Sequence, residues 1–219
     1  MIQGAIFDLD GTILDSMYVW DSIGELYLRS IGYEPKENLR ETFRSMSLHQ
    51  AACYYRSEYG VKLTVREITD GVNNMIIGYY LKEVQLKKGI KELLEKLHNN
   101  GVKMCAATAT DRNPIESALK RCGVHHYFSD IFTCSSVGYG KDNPTIYREA
   151  LKHLGTDKSK TAVFEDAAYA IKTAKTDGFI TVGVYDKYEK EQNAVKHNSD
   201  FYISDYSDIN NFWKYAVSL

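Results

Sequence analysis

Asp8-Leu9-Asp10-Gly11-Thr12 places two carboxylates two residues apart at the end of an apolar run, residues 2–9. On an extended chain alternate residues share a side, so these two acids stand about 6.5–7 Å apart on one face. Gly11 lets the backbone turn sharply directly after them. Two carboxylates at a strand's carboxyl end, beside a turn whose amides can meet an anion, suit a divalent cation and phosphate chemistry. One acid can bind Mg²⁺ and attack phosphorus, and the other can move a proton. Asp and Gly are also ordinary turn residues, so a solvated turn accounts for the tetrapeptide DLDG taken alone. A calcium loop does not fit, because Gly falls at the fourth position and the acid pattern breaks after it.

Three further positions fall where such chemistry needs them. Thr108 ends the apolar stretch in CAATAT, Lys141 precedes a helix pattern in GYGKDNPTIY, and Glu165-Asp166 ends another apolar stretch in VFEDAAYAI. Each has an ordinary explanation by itself: a strand-end Thr, a solvated Lys, and acids at a helix N-terminus favoured by the dipole. Gly138-Tyr139-Gly140-Lys141 is not a nucleotide-triphosphate loop, because the first Gly is misplaced and Asp142 stands where Ser or Thr is required. His125-His126 are adjacent and point apart on a regular element, which reads as a surface turn.

The elements that must position these residues alternate along the chain. Residues 2–9, 102–108, 161–164, 180–184 and 201–203 are short, nearly continuous apolar runs, as in strands covered on both faces of a parallel sheet. Between them, Ile90, Leu93, Leu94 and Leu97 show helical spacing, closed by Gly101. Helix patterns over 114–122, 144–154 and 167–177 follow, two opening with Pro and two closing at Gly155 and Gly178. The alternation predicts an α/β fold, a Rossmann-like open parallel sheet joined by right-handed crossovers. Only helix patterns occupy 15–84, chiefly 16–31 and 65–84. This predicts a helical cap domain over 15–84, inserted into a core made of 1–14 and 85–219. Ligands in open α/β sheets bind beyond the carboxyl ends of the strands, so an insertion directly after the first strand is placed to act as a lid.

Composition narrows the classes. The chain has 219 residues, 44% hydrophobic and 26% charged, with a net charge of −2 from 27 basic and 29 acidic residues. That excludes a disordered chain and gives no electrostatic reason to expect nucleic acid or a membrane surface as partner. No run approaches the roughly 18 apolar residues of a membrane helix. Asp8 and Asp10 interrupt the place where a signal peptide has its apolar segment. Cys53, Cys105, Cys122 and Cys134 form no CxxC pair and read as reduced thiols. The expectation is a cytoplasmic monomer.

Taken together and in order, AIFDLDGTILDS, Thr108, Lys141 and Glu165-Asp166 resemble the four motifs of the haloacid dehalogenase superfamily of phosphohydrolases. The early helical insertion is similar to its β-phosphoglucomutase and phosphoglycolate phosphatase group. The resemblance implies Mg²⁺-dependent hydrolysis of a small phosphomonoester through an aspartyl-phosphate on Asp8. It implies Asp10 as general acid and base, Thr108 and Lys141 as catalytic contacts to the phosphoryl group, and Leu9, Gly11 and Thr12 as further phosphate-binding positions. The metal falls to Asp8, Asp166, the Asp10 carbonyl and, through water, Glu165. The partner is a small phosphorylated metabolite, neither nucleic acid nor membrane.

Four departures from the family pattern bear on the reaction. Mutase-like members carry a His in the first cap helix and a basic residue after the next turn, where this chain has Trp20 and Leu48. That favours hydrolysis over transfer to a second hydroxyl. A mutase, or a catalytically silent phospho-acceptor or binding protein, stays as the alternative. Lys141-Asp142-Asn143-Pro144 lacks one Pro of the family's loop, and Ala167 stands where the family often has Ser. Trp20 and Arg44 are the candidate substrate contacts from the cap, with Asp21 and His49 beside them.

Overall fold

The computed structural model describes residues 1–219 except Arg44, Ser45, Ser47 and the side chain of Asp208. The Arg44 expectation therefore lies outside the described residues. The strands are β1 Gly4–Phe7, β2 Leu14–Asp15, β3 Gln85–Leu86, β4 Lys103–Thr108, β5 Ile131–Thr133, β6 Thr161–Glu165, β7 Ile180–Val184 and β8 Phe201–Ile203. The helices are α1 Met17–Ser30, α2 Leu39–Phe43, α3 Leu48–Tyr59, α4 Val65–Lys82, α5 Ile90–Asn99, α6 Arg112–Arg121, α7 Cys134–Val137, α8 Thr145–Leu154, α9 Ala168–Thr176, α10 Gln192–Asn198 and α11 Ile209–Ser218.

The chain forms two compact units, Met1–Ser16 with Val84–Leu219, and Met17–Glu83. The first is built on a parallel six-stranded sheet of order β5-β4-β1-β6-β7-β8. β1, β6 and β7 are buried along their whole length, as expected for strands with helices on both faces. One face packs Ile6, Cys105 and Val163 against Ile146, Tyr147 and Ala150 of α8 and Ala174 of α9. On the same sheet Phe7 stacks on Phe164 at 4.1 Å, and Phe164 meets Phe212 of α11 edge-on. The expected spacing in α5 holds, with Ile90, Leu93, Leu94 and Leu97 all buried. α8 closes on Gly155 at φ 61°, the left-handed cap that glycine supplies without a Cβ penalty.

β1 is shorter than the apolar run around it: the Asp8 amide still donates to the Phe164 carbonyl at 2.9 Å, and a tight turn then begins at Leu9. The Leu9 carbonyl there accepts from both Ile13 and Leu14 amides, at 2.9 and 2.7 Å. β5 did not stand out as a strand, since three residues pairing with β4 alone are too few for a periodic signal. α6 begins two residues ahead of Pro114, which sits within the first turn where its missing amide costs nothing. α10 and α11 add two helices beyond those the apolar spacing predicts.

The second unit is helical, with a core of Val19, Ile23 and Tyr27 of α1, Ala52 and Tyr55 of α3, and Ile68, Val72, Ile76 and Tyr80 of α4. The buried Tyr55 hydroxyl is satisfied by the Gly24 carbonyl at 2.6 Å. Thr64 and Glu67 form a reciprocal capping box at the start of α4.

Candidate active site

A parallel sheet delivers all its carboxyl ends to one edge. Phe7 pairs with Ala106 on one side and Phe164 on the other, so the chain continuing from β1 emerges between the ends of β4 and β6. Asp8 follows β1, Thr108 ends β4, Glu165 ends β6 and Asp166 follows it. The loop before α8 adds Lys141, which is 3% exposed although it is a lysine.

Lys141 donates from Nζ to Asp8 Oδ1 and, at 2.8 Å, to Glu165 Oε2. Tyr147 of α8 donates its hydroxyl to the same Glu165 oxygen at 3.2 Å. Carboxylate oxygens of Asp8, Glu165 and Asp166 lie within 4.8 Å of one another, all three residues buried. Asp8 Oδ2 is buried without a hydrogen-bond partner among the described residues. Asp8 and Glu165 thus share one ammonium with Asp166 beside them, and a carboxylate oxygen in that state calls for a cation or an electrophile. Oxygen donors alone suit a hard divalent ion. Asp166, Asp8 and Glu165 are therefore the residues that fit a metal.

The electrostatics report the same crowding. Burial, and then the Glu165 charge, raise the Asp8 carboxyl from its ordinary 3.8 to about 7, with Lys141 pulling the other way. Burial, and then Asp8, hold Asp166 well above the usual carboxylate range. Burial disfavours the Lys141 ammonium, but Asp8 and Glu165 outweigh it and keep its pKa well above the usual value.

Asp10 lies outside the acid cluster. Its Oδ1 accepts from the Ser16 hydroxyl at 2.6 Å and its Oδ2 from the Thr110 hydroxyl at 2.7 Å. Thr108 is fully buried, and its Oγ1 accepts the Thr110 amide at 3.1 Å, which leaves the Thr108 O–H to donate. At two of the expected phosphate-binding positions the structure shows partners within the protein. The Gly11 amide turns inward and donates to the Leu14 carbonyl at 3.0 Å. The Thr12 hydroxyl donates to Asp166 Oδ1 at 3.2 Å, so Thr12 braces a carboxylate. The Thr12 carbonyl in turn accepts the Tyr206 hydroxyl at 3.2 Å. In the helical unit Trp20 is 39% exposed, and its indole N–H donates to the Tyr80 hydroxyl at 2.9 Å.

Sequence reasoning missed Ser16, Thr110, Tyr147 and Tyr206. A hydroxyl two residues past Thr108 and tyrosines within helical segments carry no local signal, since their partners come from distant loops. Outside the acid cluster, Lys87 and the buried Asp186 form an ion pair at 2.9 Å beside β7.

A parallel α/β sheet with buried acids and a buried lysine at its carboxyl edge is a site that can hold a cation and an anionic group. The haloacid dehalogenase-like hydrolase family matches residues 5–184. The chain belongs to that family, in its β-phosphoglucomutase and phosphoglycolate phosphatase-like group of phosphohydrolases. A phosphorylated carbohydrates phosphatase of Thermotoga maritima is 26% identical over 81% of this chain and 82% of its own length. A β-phosphoglucomutase of Bacillus subtilis is 28% identical over 84% of this chain and 83% of its own. The crystal structure of a protein titled putative β-phosphoglucomutase from Thermotoga maritima superposes with a TM-score of 0.85 at 21% identity. It covers 98% of this chain and 99% of that one.

Proposed function

We propose that this protein is a phosphatase that hydrolyses a small phosphomonoester through an aspartyl-phosphate on Asp8. The observation that carries this reading is the buried Asp8, held by Lys141 with its second oxygen unpartnered, inside the Asp8-Glu165-Asp166 cluster. Asp8 attacks phosphorus, forming an O–P bond as the ester P–O bond breaks. Asp10 gives its proton to the leaving oxygen and then takes one from the water that attacks the aspartyl-phosphate. That attack breaks the Asp8–phosphorus bond and releases phosphate. The Thr108 O–H and the Lys141 ammonium bind the transferring phosphoryl oxygens, and such positioning with charge stabilisation supplies most of the rate in phosphoryl transfer. Leu9 contributes its amide.

Asp8, Asp166 and the Asp10 carbonyl would hold Mg²⁺, with Glu165 outside them because Lys141 and Tyr147 already occupy its Oε2. When bound, the ion neutralises the phosphate and the carboxylates around it. The helical unit serves as the cap, and Trp20 is its candidate substrate contact. Transfer to a second hydroxyl is disfavoured at Trp20, because an indole N–H only donates and cannot take a proton. Names of relatives such as the phosphorylated carbohydrates phosphatase support a sugar phosphate as the substrate class.

The test is phosphate release from a panel of sugar, glycerol, glycolate and nucleoside phosphomonoesters, with Mg²⁺ and with chelator, for wild type and Asp8→Asn. Release that requires Mg²⁺ and disappears in the variant is expected. Release that survives Asp8→Asn overturns the reading.

A further inference from the structure

We propose that Thr110 is a positioning residue for Asp10, aiming the proton-transferring carboxyl at the leaving oxygen and so setting how well the enzyme expels poor leaving groups. The proposal rests on the phosphatase reading above. Thr110 lies two residues past β4, at 9% exposure, and reaches across the sheet edge to the β1 loop. Its hydroxyl donates to Asp10 Oδ2 at 2.7 Å, while its amide donates to Thr108 Oγ1 at 3.1 Å. One residue therefore orients both the acid–base carboxyl and the hydroxyl assigned to the phosphoryl group.

The chemistry of the donor matters. Asp10 sits on a loop beyond the strand, where its side chain has rotational freedom that only tertiary contacts remove. A hydroxyl can donate to a carboxylate and accept from a carboxylic acid. The Thr110 contact therefore persists when Asp10 carries the proton and when it has given the proton up. A lysine or an amide N–H in that place can only donate, so it would lose the contact whenever the proton sits on Oδ2. Ser16 occupies Oδ1 in the same way at 2.6 Å, so both carboxyl oxygens are set by hydroxyls.

The consequence appears in the first step. As Asp8 bonds to phosphorus and the ester bond breaks, an alkoxide leaving oxygen needs the Asp10 proton. A p-nitrophenolate is stable enough to depart without it. Because kcat/KM covers the steps up to loss of the leaving group, comparing esters by kcat/KM isolates the acid's contribution from the later attack of water.

The experiment compares wild type, Thr110→Val and Thr110→Ser on p-nitrophenyl phosphate and on the best alkyl phosphate from the panel. Thr110→Val keeps the shape and the amide to Thr108 but loses the hydroxyl. Its kcat/KM for the alkyl ester is expected to fall roughly 100-fold, the scale of a misplaced general acid, with p-nitrophenyl phosphate changed by less than about threefold. Thr110→Ser, which restores the hydroxyl, is expected to return the alkyl ester to within about threefold of wild type. Thr110→Ala shows the same split if Thr110→Val melts early. Equal losses on both esters, no loss on either, or failure of Thr110→Ser to restore the alkyl ester would overturn the role of Thr110 alone. Full activity in Asp8→Asn would instead bring down the phosphatase reading, and this proposal with it.

Discussion

Asp8→Asn removes a charge while keeping the side chain's shape, and it is expected to stabilise the cation-free protein at pH 8. In the unfolded chain Asp8 titrates near its ordinary 3.8, whereas in the fold burial first and Glu165 next raise it to about 7. Below pH about 4 the carboxyl is protonated in both states and folding loses nothing. Between about 4 and 7 the unfolded chain ionises and the folded site resists, so stability falls as pH rises. Above about 7 the loss is complete, on the order of 4 kcal/mol for this group. Asn stays in the neutral condition throughout and escapes that loss, while Lys141 keeps Glu165 as its partner at 2.8 Å. In a chain of this length each kcal/mol moves Tm by roughly 2–4 °C, so the variant gains roughly 8–16 °C at pH 8. The assay is thermal melting of both proteins in chelator at pH 4, 6 and 8. The gap should be widest at pH 8 and close toward pH 4. Added Mg²⁺ should narrow it by raising the wild type, through mass action on the folded state. A variant that melts at or below wild type at pH 8, or a gap that ignores pH, would refute the electrostatic argument.

Lys141→Met has the opposite sign for stability. It strands Asp8 and Glu165 without their shared cation, which should cost about 3 kcal/mol or more in melting, with phosphate release falling at least about 100-fold. An unchanged Tm would refute it. Thr12→Val removes the brace on Asp166 Oδ1, and the Mg²⁺ concentration for half-activation should rise about tenfold or more. A titration that overlays wild type would show that Asp166 needs no such support. Gly89→Ala should destabilise by about 1–3 kcal/mol. Gly89 sits at φ 85°, and a Cβ there would stand 2.7 Å from the Tyr206 carbonyl carbon. Chemical denaturation reads that loss, and an unchanged midpoint would refute it.

Much of this protein is legible without coordinates because its chemistry is tied to strand ends. Asp8, Thr108 and Glu165-Asp166 each close a short apolar run, and in a parallel sheet such ends must share an edge. The apolar spacing in α5 and the glycine that closes α8 are local effects of helix periodicity and backbone freedom, so they too can be read from one segment at a time. Other features depend on where separate loops arrive. Thr12 looks like a turn hydroxyl, yet the fold spends it on Asp166, 154 residues away. Gly11 looks like an amide free for an anion, yet the tight turn after β1 commits it to Leu14. Thr110 meets Asp10 only because β4 lies beside β1, and Tyr147 reaches Glu165 only because α8 packs on the sheet. Sequence alone picked out the groups proposed to carry the chemistry, since residue type and the end of an apolar run are local properties. Tertiary structure alone decided which hydroxyls hold those groups, and how far burial among like charges lifts Asp8, since desolvation and charge crowding arise only when distant segments close over the same few ångströms.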